Sequence, residues 1–324
     1  MNLKSAIDGF LGNVKKSQSP NTYKNYKSDL LGQAGFLAIL APHGIRPSSL
    51  ASTLNENMAV QFLQDLMDKG YSKSTRTRKA AAVRAFYGFI AGLELAPITI
   101  DKLDYKIKAG KLLTGAKVNI QFDADKIERI LKYAAKFSPP SSSKKHPNKT
   151  LVFLRNKAFL FTLAETGLRV SEACRLTVAD INREQHSAVI IGKGDKQAPV
   201  YWGRQSWEFL NEYLYLRAGT NWQALNSPVF IRLDKNAGKT PKPITPVTGE
   251  EIVHDWAKAA LGSDYDVDIT AHKFRHWFVT KVYSETGDIK IAQEQARHSN
   301  IGTTERYTHI SSKKNRQIHT DIFG

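Results

Sequence analysis

The chain has 324 residues, 41% of them hydrophobic and 10% aromatic, and its 47 Lys and Arg outnumber its 30 Asp and Glu to give a net charge of +17. This apolar content excludes a wholly disordered chain, and the length suggests two domains. Because no apolar run is long enough for a signal sequence or a membrane span, we expect a cytoplasmic protein, and its charge predicts association with nucleic acid in the nucleoid.

The first third of the chain is predicted to be helical. Ser19 and Pro20 are typical of an N-cap and a first helical turn, and Asn55 precedes a segment whose apolar residues share one face as far as Gly70. A third helix is predicted from Ser74, and positive charge is concentrated at its beginning and along its flank. The cations expected to lie along a DNA phosphate backbone are Lys73, Arg76, Arg78, Lys79 and Arg84.

A change of composition follows the third helix. The segment Asp101 to Lys117 is rich in lysine and poor in apolar residues, so we interpret it as a linker. The predicted organisation is a helical DNA-binding domain over residues 1–110, a linker over 111–120 and a second domain with a C-terminal tail over 121–324. Both halves carry an excess of Lys and Arg, which favours a polyanion held between the two domains.

The second domain is predicted to be mostly helical with a small sheet. A helix is expected from Asp123 to Lys136, and an apolar helix from Leu151 to Glu165 is stopped by Gly167. Two β-prone runs, at residues 186–191 and 197–202, flank a Gly-Lys-Gly turn and indicate an antiparallel hairpin. Further helices are predicted at Ser206–Arg217, Thr248–Ala260 with a Thr248/Glu251 capping box, Thr270–Tyr283 and Asp288–Ala296. The fold class is therefore mainly α with a small antiparallel β-sheet.

Metal and nucleotide chemistry have no support in the sequence. The single cysteine, Cys174, cannot form an internal disulfide or a cysteine-based metal site, and we interpret it as a core thiol. The nine histidines include no zinc motif, and no complete phosphate-binding loop is present. We therefore expect no metal and no cofactor.

Scattered basic residues and one tyrosine remain as candidates for chemistry. They are Arg169, Lys193, His272, Arg275, His298 and Tyr307. His272 and Arg275 are three residues apart on a predicted helix, so they share a face. Two guanidinium groups and two imidazoles are suited to holding a phosphodiester through its nonbridging oxygens.

Four sequence blocks carry a family resemblance. They are Ala164–Glu172 (AETGLRVSE), Gly192–Lys196 (GKGDK), His272–His276 (HKFRH) and His298–His309 (HSNIGTTERYTH). In order and spacing they resemble the tyrosine recombinase, or phage integrase, family, and its Xer-like members in particular. The basic N-terminal helices also resemble the family's core-binding domain, so the likeness extends over roughly residues 15 to 310. The resemblance implies a helical core DNA-binding domain followed by a mixed α+β catalytic domain.

The resemblance also implies a reaction. Tyr307 would attack a DNA phosphodiester, form a 3′-phosphotyrosyl bond and expel a 5′-hydroxyl, and a second strand would reverse that step. A phenol with a pKa near 10 needs nearby positive charge to act at neutral pH. Arg169 and Arg275 would stabilise the charge on the phosphorane oxygens, and Glu172 would hold the guanidinium of Arg169 in place.

The remaining residues of the motif take roles in proton transfer and phosphate binding. Lys193 matches the hairpin lysine that protonates the leaving oxygen, and Lys196 is a rival for this role. His272 matches a position for proton transfer with the tyrosine, and His298 matches one that donates a hydrogen bond to the phosphate. The chain departs from the family where Arg297 replaces the usual glycine; either Arg297 adopts a left-handed conformation at some cost or the turn differs.

The predicted function is site-specific recombination of double-stranded DNA, for integration, excision or resolution. Its expected assembly is a homotetramer on two DNA sites, with the tail after Tyr307 docked on a neighbouring subunit. Two alternatives stay open at this stage: strand relaxation of the type IB topoisomerase kind, and an architectural DNA-binding protein without catalytic activity.

Overall fold

The computed structural model describes residues 1–115, 123–145, 147–191, 197–218, 227–235, 237–238 and 240–297. The chain divides into two compact units, residues 1–120 and 121–324, and each is described by itself. The predicted linker over 111–120 lies partly outside the described residues, so that boundary stays a prediction. The fold class is confirmed, because helices dominate both units and a single small antiparallel sheet is present in the part of the chain described.

The N-terminal unit is built of helices. Their bounds are α1 Leu3–Ser17, α2 Pro20–Leu31, α3 Phe36–Leu40, α4 Glu56–Asp68, α5 Lys73–Gly92 and α6 Ile100–Ala109. Local caps explain several starts: the side chain of Ser19 accepts a hydrogen bond from the Thr22 N–H at 3.1 Å, and Asn55 caps α4 in the same way. The predicted second and third helices are thus confirmed, with α5 beginning after Ser72.

Two helices of this unit were not expected. Helix α1 buries an apolar stripe that includes Ile7, Phe10 and Val14, at a spacing that fits a helix. Helix α6 occupies most of the segment assigned to a linker, and the prediction was wrong there because Leu103 and Leu112 are buried in the core of the unit. Lys108 and Lys111, which lie between these apolar residues, are exposed and conceal the pattern.

The C-terminal unit places further helices around one core. Their bounds are α7 Ala124–Lys136, α8 Lys149–Thr166, α9 Val170–Arg175, α10 Arg204–Ala218, α11 Pro246–Leu261, α12 Ala271–Thr286 and α13 Ile289–Ala296. Helix α8 is largely buried, with Arg155 and Lys157 included, and packs against α7, α10, α11 and α12, as a central helix does. Cys174 lies in the same core and is 2% exposed, as predicted, and burial raises the pKa of its thiol to about 12.

The sheet of this unit is a three-stranded antiparallel meander. Its strands are β1 Ile181–Asn182, β2 Ser187–Ile191 and β3 Gln197–Tyr201, in the order β1-β2-β3. The register pairs Val189 with Pro199 and Ile191 with Gln197. The predicted hairpin is confirmed, while its turn, with Lys193 and Lys196, lies outside the described residues.

Two helix ends show how glycine and proline set the boundaries of helices in this unit. Helix α8 ends at Gly167, whose φ of 59° is left-handed and whose Cα lies so close to the ring of Phe278 that a Cβ would be 2.4 Å from that ring. Helix α11 begins at Pro246 with Thr245 as its N-cap, so the predicted capping box at Thr248 was wrong. The Thr248 N–H instead donates to the Thr245 hydroxyl, because a proline in the first helical position fixes the start earlier.

Candidate active site

Arg169 and Glu172 form the first part of the site at the start of α9. The Arg169 guanidinium donates from Nη1 to Glu172 Oε1 at 2.7 Å, and the Arg169 backbone N–H donates to Oε2 at 2.9 Å. Burial alone would raise the pKa of Glu172, but the two Arg169 hydrogen bonds and the charge of Arg297 hold this pKa below its ordinary value. Glu172 is therefore a buried carboxylate that fixes Arg169, whose side chain stays 48% exposed.

Arg275 approaches the same place from α12. Its side chain is buried, and its guanidinium donates to the carbonyl of Gly167 at 2.5 Å and to the carbonyl of Ala296. Burial and the neighbouring charges of Arg169 and Arg297 lower the pKa of Arg275 to about 9. The hydrogen bonds of one guanidinium thus connect the end of α8 with the end of α13.

His272 lies one turn before Arg275 on α12. Its burial, together with the positive charges of Arg275 and Arg169, lowers the pKa of His272 below its ordinary value of 6.5. The imidazole is therefore largely uncharged at neutral pH and has a nitrogen available to accept a proton. Glu250 of α11 accepts a hydrogen bond from the Ala271 N–H at 2.8 Å and so fixes the beginning of the helix that carries His272.

Arg297 is a member of this cluster that the sequence singled out only as a departure from the family pattern. It caps α13 with φ 54° and ψ 43°, so the first of the two predicted possibilities is confirmed. Its guanidinium donates from Nη2 to Glu172 Oε2 at 3.1 Å. Glu172 therefore lies between two arginines, Arg169 and Arg297, and the positive charges of both also lower the pKa of the buried Arg275.

The cations of α5 divide into buried and exposed groups. Arg76 and Lys79 are 7% and 4% exposed, so the prediction that they lie along phosphates was wrong for these two. Arg76 donates to the carbonyls of Tyr71 and Thr114 at 2.6 Å each and to that of Leu112 at 3.0 Å, which occupies its donors within the unit.

The reason for the burial of Lys79 is a buried carboxylate. Asp29 of α2 is fully buried and lies 3.3 Å from the Lys79 ammonium and 2.5 Å from the Arg78 guanidinium. Arg78 keeps 46% of its side chain exposed, and Arg84 is exposed and forms a two-pronged ion pair with Asp104. Lys73 is exposed as expected.

Comparison with known proteins also identifies the family of this chain. The sequence profile of the phage integrase family matches residues 121–314, and that of the phage integrase N-terminal SAM-like domain matches residues 7–91. The chain belongs to the phage integrase family. Among its relatives are the tyrosine recombinase XerD of Chlorobaculum tepidum, 27% identical over 98% of this chain and 95% of the relative, and the tyrosine recombinase XerC of Bacillus subtilis, 25% identical over 94% and 91%.

Solved structures of integrase-family proteins share the fold. A complex of the XerH site-specific recombinase with its palindromic difH substrate has a TM-score of 0.65 at 18% identity, covering 97% of this chain and 94% of that one. The Tn1549 transposon integrase in complex with transposon right-end DNA has a TM-score of 0.67 at 16% identity, and both chains are fully covered. At these identities the likeness concerns the fold.

The structure brings together part of the predicted integrase site. Arg169 and Glu172 at the start of α9 lie beside His272 and Arg275 of α12, next to the C-terminal ends of α8 and α13. Lys193, His298 and Tyr307 lie outside the described residues, as does the predicted docking tail. Among the described residues no helix is long and apolar enough to cross a membrane, and no three His, Cys, Asp or Glu side chains gather as a metal ion would require.

Sequence reasoning missed three groups that build the site. The carbonyls of Gly167 and Ala296 hold Arg275, and no sequence signal identifies a backbone acceptor in advance. Glu250 was missed as well, because the Ala271 N–H that it accepts from lies 21 residues away and leaves no signal in the local sequence.

Proposed function

We propose that this chain is a site-specific recombinase that cuts and rejoins double-stranded DNA through a 3′-phosphotyrosyl intermediate, with Tyr307 as the nucleophile. The observation that carries the proposal is the meeting of Arg169, Arg275 and the carboxylate of Glu172 at one place, with His272 on the same helix as Arg275. Buried, oriented positive charge of this kind stabilises the negative charge that collects on phosphate oxygens during an in-line displacement.

In the cleavage step, the phenolic oxygen of Tyr307 forms a bond to phosphorus while the bond to the 5′-oxygen breaks. His272 accepts the phenolic proton, since its lowered pKa leaves it uncharged at neutral pH. Lys193 gives a proton to the departing 5′-oxygen, with Lys196 as the competing donor, and His298 donates a hydrogen bond to a nonbridging oxygen. The phosphodiester energy is kept in the tyrosyl ester, so no nucleotide or metal is needed.

In the rejoining step, the 5′-hydroxyl of a second strand attacks the phosphotyrosine. Lys193, left neutral by the cleavage step, takes the proton of that hydroxyl, and the tyrosyl oxygen leaves and takes back its proton from His272, so protons and charge balance over the cycle. We propose that this exchange takes place in a homotetramer on two DNA sites, in which the tail after Tyr307 docks on the neighbouring subunit. Lys73, Arg78 and Arg84 of α5 are the exposed cations that support a phosphate contact for the N-terminal unit.

The proposal is tested with nicked suicide DNA substrates that carry candidate sites. A covalent protein–DNA adduct on a denaturing gel, abolished in Tyr307→Phe, is the expected result. A second assay then supplies a partner duplex: joining to the partner strand supports recombination, whereas religation of only the original strand would assign the chain to the type IB topoisomerase reaction. Binding to cognate DNA that weakens steeply with salt, without any adduct, would instead indicate an architectural DNA-binding protein.

A further inference from the structure

Arg297 has a backbone conformation that only glycine adopts without cost. Its φ of 54° is left-handed, and it stands where the family usually has glycine, immediately before His298. Strained residues of this kind persist only where their surroundings hold them, and they are concentrated at functional sites. The side chain of Arg297 is therefore the feature to explain.

The Arg297 side chain turns into the site and is only 11% exposed. Its Nη2 donates to Glu172 Oε2 at 3.1 Å, whereas its Nη1 is buried and has no hydrogen-bond partner among the residues that the structure describes. A buried guanidinium nitrogen usually donates a hydrogen bond, because leaving it without an acceptor costs free energy. Glu172 thus accepts a hydrogen bond from one terminal nitrogen of Arg297, and no described acceptor accounts for the other.

Among the described residues, the positive charges around Glu172 exceed its own negative charge. Arg169, Arg275 and Arg297 carry three positive charges near this one carboxylate, so an excess of two remains. With glycine in place of Arg297 the excess would be one. A phosphodiester brings one negative charge, and the pentacovalent phosphorane formed during strand transfer carries a second. The charge of the arginine cluster therefore matches the transition state better than the ground state.

We propose that Arg297 is a third guanidinium for the scissile phosphate, and that its Nη1 donates to a nonbridging oxygen as charge accumulates there. This inference rests on the proposed function, because it assigns Arg297 to the same phosphoryl transfer. It goes beyond the family pattern, since the residue usually present at this position has no side chain.

Replacing Arg297 by glycine is the most informative change, because glycine relieves the backbone and removes only the side chain. In single-turnover cleavage at saturating suicide DNA, Arg297→Gly is expected to cleave about a hundredfold to a thousandfold more slowly, as loss of one oxyanion donor does. Arg297→Lys, which keeps the charge, is expected to recover part of the rate. Glu94→Gly is the matched backbone control: Glu94 is exposed with φ 53°, and its replacement should leave cleavage unchanged.

A methylphosphonate at the scissile position separates phosphate contact from mere support of Glu172. Replacing one nonbridging oxygen by methyl removes the negative charge that Arg297 is proposed to meet. The rate ratio between wild type and Arg297→Gly should therefore fall toward one on this substrate. An equal ratio on both substrates would mean that Arg297 acts only through Glu172, and the proposal would be overturned.

The two proposals fail in different ways. A wild-type protein that gives no adduct on cognate DNA would overturn the proposed function, and this inference with it. A wild-type protein that cleaves normally, together with Arg297→Gly and Arg297→Gln variants that cleave equally fast, would overturn the role of Arg297 alone. Circular dichroism of each variant confirms that a loss of rate is not a loss of fold.

Discussion

Replacing Glu172 by glutamine removes the one negative charge at the centre of the arginine cluster. The carboxylate accepts hydrogen bonds at both oxygens: Oε1 from Arg169 Nη1, and Oε2 from the Arg169 N–H and from Arg297 Nη2. An amide has a single acceptor oxygen, so Glu172→Gln must place its NH₂ group against at least one of these donors. It also leaves the buried guanidinium of Arg297 without a counter-charge.

The expected cost is about 3 kcal/mol in the free energy of unfolding of the C-terminal unit. This value is at the lower end of the range for breaking a buried charge pair, because the Arg169 side chain is 48% exposed and keeps contact with water. Urea denaturation monitored by tryptophan fluorescence measures the change, and Glu251→Gln on the exposed face of α11 is the matched control. A cost below about 1 kcal/mol at pH 7 would refute the reasoning.

The pH dependence provides a second check on Glu172. The pKa of this carboxyl is lowered in the folded protein, so its stabilisation is complete above the ordinary value of 4.5 and is lost as the pH falls below that value through the folded pKa. The stability difference between wild type and Glu172→Gln should therefore be constant from pH 7 to about pH 5.5 and smaller at pH 4. A difference that grows on acidification would contradict the assignment.

Three further predictions concern other parts of the molecule. Arg76→Gln should lower the free energy of unfolding by about 2–4 kcal/mol in thermal melts, since three carbonyls lose a buried donor. Lys73→Gln is its control and should leave stability unchanged. In filter-binding titrations, Lys73→Gln should reduce the slope of log K against log salt concentration for DNA binding by about one. Gly167→Ala should cost about 2–4 kcal/mol by urea denaturation, because the added Cβ meets the Phe278 ring in a left-handed backbone conformation. In NMR titrations the imidazole of His272 should have its midpoint below pH 6.5, and a midpoint above that value would contradict the lowered pKa inferred from its burial and its positively charged neighbours.

Local signals in the sequence were sufficient for most of the helices and for the hairpin. An N-cap, a first-turn proline or a terminal glycine acts within a few residues, so Ser19, Asn55 and Gly167 can be interpreted without knowledge of the fold. Helix α6 was missed because its lysines dominate the composition while Leu103 alone on the helix is fully buried. The motif blocks identified the family and selected Arg169, Glu172, His272 and Arg275.

The burial of charged groups was decided by the tertiary structure. Arg76 bonds to a carbonyl 36 residues away and Lys79 to a carboxylate 50 residues away, so no local pattern distinguishes them from the exposed Lys73. No local pattern predicts the burial of Arg297 either, because its partner Glu172 is 125 residues distant in the sequence. The sequence by itself determined the local elements and the residue types proposed for the site, since both depend on short spacings. Only the tertiary structure decided which cations face solvent and which belong to the arginine cluster, because charge burial depends on contacts between distant segments.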